Sequence, residues 1–87
     1  MMFEYDPDKS ASNEIKHGLD FETAKALWND SNLIEVQAKT VNDETRFMVI
    51  GKIGEKHWSA ICCKAGNRTR IISVRRSRAN EVAFYEN

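Results

Sequence analysis

Residues 46–76, RFMVIGKIGEKHWSAICCKAGNRTRIISVRR, decide the fold. Three runs within this stretch are rich in β-branched and aromatic residues: 46–53, 57–64 and 69–76. Such a composition is typical of strands. The runs are separated by the short segments Gly54-Glu55-Lys56 and Ala65-Gly66-Asn67, and connections of this length join only antiparallel neighbours. The stretch therefore predicts two consecutive hairpins in an antiparallel sheet.

Two helices are expected before these strands. Asp6 is a favourable N-cap, and Pro7 suits the first helical position, where its missing N–H group costs nothing. This helix is expected to end near His17, because Gly18 readily adopts the left-handed conformation that ends helices. A second helix is expected over residues 20–28, where the apolar residues recur at helical spacing.

The remaining segments complete an α+β domain. Residues 33–38 predict a further strand, residues 2–5 are a candidate for a short first strand, and residues 77–87 predict a terminal helix with Ser77 as its N-cap. The element order is then β-α-α-β-β-β-β-α. We expect two N-terminal helices, a four-stranded antiparallel sheet and a C-terminal helix, all within a single domain that spans residues 1–87.

The composition excludes several classes of protein. Hydrophobic residues make up 41% of the chain and charged residues 30%, as in ordinary globular proteins. No apolar run reaches the roughly 20 residues of a membrane span, and the N-terminus lacks the pattern of a secretory signal, so we expect a cytoplasmic protein without membrane contact. The adjacent Cys62 and Cys63 would point to opposite faces of a strand, which favours neither a metal site nor a disulfide framework.

The net charge of zero conceals an asymmetry along the chain. Residues 1–45 hold 10 acids and 4 bases, whereas residues 46–87 hold 9 bases and 3 acids. Residues 64–78 carry six positive charges and no acid. A local basic cluster attracts phosphate groups whatever the total charge. Exposed positive charge also protects edge strands from aggregation, and composition alone leaves both interpretations open.

Four polar residues share one face of the first predicted helix: Lys9, Asn13, Lys16 and His17. At 100° per residue they lie within about 100° of one another. One interpretation is a face that contacts RNA, with a histidine that can exchange protons near neutral pH. The alternative is a solvated face in which Lys16 and His17 interact with the negative end of the helix dipole. Ala11 and Ile15 lie opposite, and we expect them to dock to the core.

The last predicted strand is flanked by arginines. Strict alternation places Arg70, Ile72, Val74 and Arg76 on one face and Thr69, Ile71, Ser73 and Arg75 on the other. Arginine is always charged and presents a planar fork that fits phosphate oxygens. At least one of Arg75, Arg76 and Arg78 is therefore expected to contact phosphate, while others are expected to pair with acids such as Glu81.

Two blocks of the sequence resemble a known family. Residues 5–28, YDPDKSASNEIKHGLDFETAKALW, resemble the opening of the BrnT family of toxins, with its aromatic-Asp start and its Lys-His-Gly segment. Residues 70–86, RIISVRRSRANEVAFYE, resemble the family's Arg-Ile-Ile-Ser-Ala-Arg segment, which is followed by a Glu and a Tyr four residues apart. The chain departs from the pattern at Val74, at Ser77 and at Val82, where a basic residue often follows the Glu.

The resemblance implies a RelE-like ribonuclease toxin of a type II toxin–antitoxin system. Such a protein would inhibit growth by cleaving RNA, without a metal ion or other cofactor. It would be neutralised by a cognate DNA-binding, BrnA-like antitoxin, and it would reach operator DNA only through that antitoxin. The alternatives left open are a non-catalytic module that docks a partner protein or RNA, and a degenerate toxin.

The residues and the resemblance together give three groups of candidate site residues. The catalytic candidates are His17, Lys16, Arg75 and Arg76. The RNA-binding candidates are Lys9, Asn13, Arg70 and Arg78. Further candidates are Glu81, Tyr85 and His57. Metal-free RNA cleavage needs a base, an acid and positive charge near the phosphate, and histidine, lysine and arginine can supply all three.

Overall fold

The computed structural model describes residues 1–40 and 42–87. The strands within these residues are β1 (Met2–Glu4), β2 (Ile34–Gln37), β3 (Arg46–Ile53), β4 (Lys56–Ala65) and β5 (Arg68–Arg76). The helices are α1 (Pro7–His17), α2 (Phe21–Ala24), which continues as a 3₁₀ segment over Lys25–Asn29, and α3 (Ala79–Glu86). The described part of the chain contains no helix of the length and apolarity that crossing a membrane requires.

The sheet is mixed, and the prediction of a four-stranded antiparallel sheet was wrong. The described residues form five strands in the order β1-β5-β4-β3-β2. The two predicted hairpins are confirmed, because β3–β4 and β4–β5 pair antiparallel. The difference is β1, which adds a parallel neighbour to β5. A hairpin can be predicted from the residues of its short turn. β1 and β5 are far apart in the sequence, so no turn between them indicates that they pair.

α2 and the 3₁₀ segment cover one face of the sheet, α1 lies along the outer edge of β5, and α3 lies on the other face. Phe21 of α2 and Leu27 of the 3₁₀ segment are fully buried. They pack against residues from three strands: Phe47, Val49, Trp58, Ala60, Cys62, Ile71 and Val74. Ser59 lies between Trp58 and Ala60, so its side chain points the other way, and there it donates a hydrogen bond to Glu81 of α3.

A β-bulge at Ile72 breaks the predicted alternation of β5. Ile71 pairs with Cys62 and Ser73 pairs with the preceding residue, Ile61, so that Ile72 is extra. Ile71 and Val74 are both buried in the same core as a result. The predicted faces of β5 are therefore wrong beyond the bulge.

The bulge separates the two arginines at the end of β5. Arg75 pairs with Ser59 in the ladder and shares with it the α3 face. Arg76 pairs with Trp58 on the core face, where its guanidinium lies 5.6 Å from the centre of the Trp58 ring.

The outer edge of β5 is completed by a side chain rather than a strand. β1 ends at Glu4, opposite Arg70, and no described strand continues beside the rest of β5. There Asn13 of α1 donates from Nδ2 to the Val74 carbonyl at 2.8 Å and accepts the Val74 N–H at Oδ1 at 3.1 Å. Its Nδ2 also donates to the Leu19 carbonyl at 2.7 Å. The Asn13 amide thus bonds to Val74 as a neighbouring strand would.

The inward face of α1 is polar, and the prediction that Ala11 and Ile15 dock to the core was wrong. Ile15 is 89% exposed, whereas Ser10 and Asn13 are each 7% exposed. Ser10 Oγ accepts the N–H of Phe21 at 2.9 Å, and Asn13 binds β5. Backbone groups at a sheet edge and a helix start must be hydrogen-bonded when buried, so polar residues occupy the positions that hydrophobicity alone would assign to apolar ones.

The terminal helix begins one residue later than Ser77 predicts. Arg78 is the N-cap of α3, and its N–H donates to the Glu81 carboxylate at 2.8 Å. The Ser77 hydroxyl instead lies 2.8 Å from the Ser59 hydroxyl, within hydrogen-bond distance.

Because of the bulge, substitutions at two adjacent positions of β5 should change the free energy of unfolding by different amounts. Val74→Thr should lower the free energy of unfolding by about 1–3 kcal/mol, because it buries a hydroxyl in a core that is fully closed at this residue. Ser73→Val should change it by only about 0.5 kcal/mol, because this side chain is half-exposed. Urea denaturation measures both, and the reverse order would show that β5 alternates without a bulge.

Candidate functional site

A cleft of about 180 Å³ lies between α1 and β5. Its lining residues are Lys9, Ser12, Asn13, Lys16, His17, Ile72 and Ser73. The four residues predicted to share one helix face are all among them. None of these seven described residues is acidic, so the lining combines positive charge with hydroxyl and amide groups.

Both walls of the cleft follow from local features of the sequence. Ser12, Lys16 and His17 follow Lys9 at three, seven and eight residues, which places them along one side of α1. Gly18 ends the helix with φ +86° and donates its N–H to the Glu14 carbonyl at 2.8 Å. The opposite wall is the bulge itself.

The basic groups of α1 are available to a ligand. Lys9 and Lys16 are exposed and His17 is half-buried. In residues 1–40 and 42–87, none of the three has a carboxylate within 4.0 Å. Lys16 and His17 also stand in the last turn of α1, where the helix dipole favours positive charge. The cleft is therefore a surface on which an anion would meet unpaired cations.

Arg75, a catalytic candidate, is bound to Glu81 rather than directed into open solvent. Its Nη1 and Nη2 donate to the two carboxylate oxygens of Glu81, each at 2.8 Å. Ser59 donates to the same carboxylate at 2.8 Å. The guanidinium lowers the pKa of Glu81 to about 2, and the carboxylate in turn raises the pKa of Arg75. This pair holds the Arg75 guanidinium against Glu81 of α3.

His57 and Tyr85 attach α3 to the sheet. His57 Nε2 lies 2.6 Å from Glu86 Oε2, and its ring packs edge-on against Tyr85 with centroids 5.2 Å apart. Tyr85 donates its hydroxyl to Asp30 at 2.7 Å, and this bond raises the tyrosine pKa to about 12. Both side chains therefore have protein partners, and neither lines the cleft.

The remaining arginines occupy three different places. Arg70 is bound to Glu4 at 2.7 Å, and that carboxylate raises its pKa. Arg76, at the far end of β5, lies roughly 20 Å from Arg70 along the strand. Arg76 and Arg78 are exposed, and neither forms an ion pair within the described residues. The predicted site residues thus divide between the cleft, the α3 junction, the Arg70–Glu4 pair and the exposed Arg76 beside Trp58.

Three cleft residues were missed by the sequence reasoning: Ser12, Ile72 and Ser73. Ser12 lies three residues after Lys9, and the helical period that selected the basic residues would also have selected it. Ser73 could not be found in this way, because its position depends on the bulge. Within the described residues, no group of three or more His, Cys, Asp or Glu side chains is arranged to hold a metal ion.

Comparison with known proteins gives one family. Residues 5–81 match a family model described as "Ribonuclease toxin, BrnT, of type II toxin-antitoxin system". The match spans α1, the whole of β5 and the start of α3 as far as Glu81. It confirms the resemblance drawn from residues 5–28 and 70–86. No curated protein matches the chain.

The Glu81–Arg75 pair predicts a specific loss of stability in acid. The folded pKa of Glu81, about 2, lies below its ordinary value of 4.5, so the contribution is complete above about pH 4.5 and is lost as the pH falls towards 2. It amounts to about 3 kcal/mol. Urea denaturation should therefore show Glu81→Gln to be less stable than the unmodified chain at neutral pH, with the gap closing in acid. A gap that does not change with pH would contradict this assignment.

Proposed function

Because the chain belongs to the BrnT family of ribonuclease toxins from type II toxin–antitoxin systems, we propose that it cleaves RNA without a metal ion at the cleft between α1 and β5. Family membership makes RNA the substrate and a cognate antitoxin the partner. The observation that carries the choice of cleft is its lining: among the described residues, Lys9, Lys16 and His17 have no ion-pair partner, and none of the lining residues is acidic.

The chemistry that suits these residues is attack by the RNA's own 2′-hydroxyl on the adjacent phosphorus. A base removes the 2′-hydroxyl proton, the bond between phosphorus and the 5′-oxygen breaks, and an acid gives a proton to the departing oxygen. His17 is the first candidate for proton transfer, since histidine changes charge near neutral pH. Lys16 is the second, and the assignment of base and acid between them is left open.

Positive charge for the pentacoordinate phosphate is proposed to come from the end of β5. Asn13 bonds to Val74, so Arg75 and Arg76 directly follow the residue that α1 contacts. The Arg76 guanidinium lies 5.6 Å from the centre of the Trp58 ring, and it is exposed without an ion pair in the described residues, so its N–H groups can meet phosphate oxygens. Arg75 is paired with Glu81, so its charge is partly neutralised but its guanidinium is held in one place. The ion pair therefore supports a role for Arg75 in positioning.

The RNA backbone is proposed to extend from the cleft over exposed basic groups. Lys9 lies in the cleft, and Arg78 is exposed at the start of α3. Arg70 has a weaker claim, because Glu4 neutralises it at the other end of β5. Asn13 is bound to the backbone groups of Val74 and Leu19.

The antitoxin is proposed to be a BrnA-like, DNA-binding protein that covers this basic surface and carries the complex to operator DNA. An acidic or amphipathic segment would complement Lys9, Lys16 and Arg76. The complex is expected in the cytoplasm, where its RNA substrate is made.

Two substitutions test the proposed site, one in the cleft and one at the end of β5. His17→Ala should lower the cleavage rate about 100- to 10,000-fold, as expected for loss of a general acid or base. Arg76→Ala should lower it about 100- to 1000-fold, as for loss of a group that stabilises transition-state charge. Both should abolish growth arrest in bacteria that express the toxin alone, and circular dichroism should show a folded protein.

Arg68→Ala is the matched control, because Arg68 is an exposed arginine at the opposite end of the same strand. It should remain fully toxic, and Arg70→Ala should lose less activity than Arg76→Ala. Full toxicity of His17→Ala would leave Lys9 and Lys16 as the candidates for the base, because Glu81 and Tyr85 are bound to protein partners outside the cleft. A chain that binds RNA and antitoxin but neither cleaves nor arrests growth would be a non-catalytic module.

The charge of the cleft predicts how the antitoxin associates. Steering between opposite charges is screened by salt, so the association rate constant should fall as ionic strength rises. Stopped-flow fluorescence at several salt concentrations measures it. The double variant Lys9→Ala, Lys16→Ala should flatten the dependence, whereas a salt-independent rate for the unmodified toxin would contradict the proposed surface.

A further inference from the structure

Asn13 is the α1 side chain that hydrogen-bonds to β5 within the described part of the molecule. Its three hydrogen bonds use both hydrogens of Nδ2 and one acceptor site of Oδ1. The residue is 7% exposed. Asn13 is therefore committed to protein backbone, and its amide is not free to bind RNA as the sequence suggested.

These bonds join the two walls of the proposed ribonuclease cleft. On α1, Asn13 stands one helical turn before His17 and one turn after Lys9. On β5, Val74 lies between Ser73, which lines the cleft, and Arg75. The separation between the proton-transfer groups of α1 and the groups of β5 is thus set by the Asn13 amide.

A second buried polar residue anchors the same helix elsewhere. Ser10 is equally buried, and its hydroxyl accepts the N–H of Phe21 at the start of α2. Its bond therefore ties α1 to α2 and not to β5. Substitutions of the two residues can therefore distinguish an effect on the stability of α1 from an effect on its position relative to β5.

We propose that Asn13 is a positioning residue for RNA cleavage, and this inference rests on the function proposed above. A misplacement of about 1 Å at a reacting group can cost about 100-fold in rate. Only a side chain with both a donor and an acceptor at this length can satisfy the Val74 N–H and carbonyl together. An aspartate at this position could still accept the Val74 N–H. Its second carboxylate oxygen, however, would face the Val74 and Leu19 carbonyls, to which it cannot donate.

The experiment compares three variants at a temperature at which circular dichroism shows each to be folded. Asn13→Ala and Asn13→Asp should lower the single-turnover rate constant for cleavage of a short RNA about 10- to 100-fold. Affinity for the same oligonucleotide with a 2′-deoxy group at the scissile position should change far less. Ser10→Ala should destabilise the protein yet cleave at nearly the unmodified rate. Asn13→Asp, which is isosteric, serves if Asn13→Ala does not fold.

A double-mutant cycle tests whether Asn13 affects the cleavage rate through His17. If Asn13 acts through His17, Asn13→Ala should lower the rate far less in the His17→Ala background than in the unmodified chain. Unmodified cleavage by a folded Asn13 variant, or an equal loss in Ser10→Ala, would overturn the inference and leave the proposed function intact. Absence of cleavage by the unmodified chain would overturn the proposed function and the inference with it.

Discussion

The hydrogen bonds between Asn13 and Val74 are the constraint on which the arrangement of the site depends. β1 stops at Glu4, so the second half of β5 has an unfinished edge. A buried N–H or carbonyl without a partner costs about 1–3 kcal/mol, and the Asn13 amide satisfies one of each. Because that amide is carried on α1, completing the sheet also brings Lys16 and His17 beside the bulge. The same two hydrogen bonds therefore complete the edge of β5 and set the position of α1 beside the cleft.

Much of the architecture could be predicted because it is encoded locally. Gly54 and Gly66 adopt positive φ values of 62° and 65° at the two hairpin turns, and Asp6 caps α1 as its position suggests. The parallel β1–β5 pair could not be predicted in this way, since partners such as Met2 and Arg68 are far apart in the sequence and share no turn. The predicted alternation of β5 also failed at Ile72, because the extra residue of the bulge reverses the faces of the residues after it. A period-2 pattern in the sequence does not reveal where such an extra residue lies.

The candidate site was predictable to a similar extent and for the same reasons. Helical spacing correctly grouped Lys9, Lys16 and His17 on one surface, because α1 is regular from Pro7 onwards. It could not reveal that Asn13, on the same face, is turned to backbone, because that depends on where β1 ends. Pairing of an arginine with Glu81 was anticipated from the sequence, but the choice of Arg75 over Arg76 follows from the bulge, which turns only Arg75 towards α3.

The distribution of charge along the chain is a poor guide to the field at the cleft. The basic second half loses much of its effective charge to acids, since Arg46, Arg70 and Arg75 pair with Glu44, Glu4 and Glu81. Two of those acids come from the acidic first half. Conversely, the cations that line the cleft all lie on α1, within residues 1–45. The unpaired positive charge that lines the cleft therefore comes from a helix of the acidic half, whereas the β5 residues that line it, Ile72 and Ser73, are uncharged. A count of charges by segment cannot anticipate this, because what acts on a phosphate is the charge left after pairing.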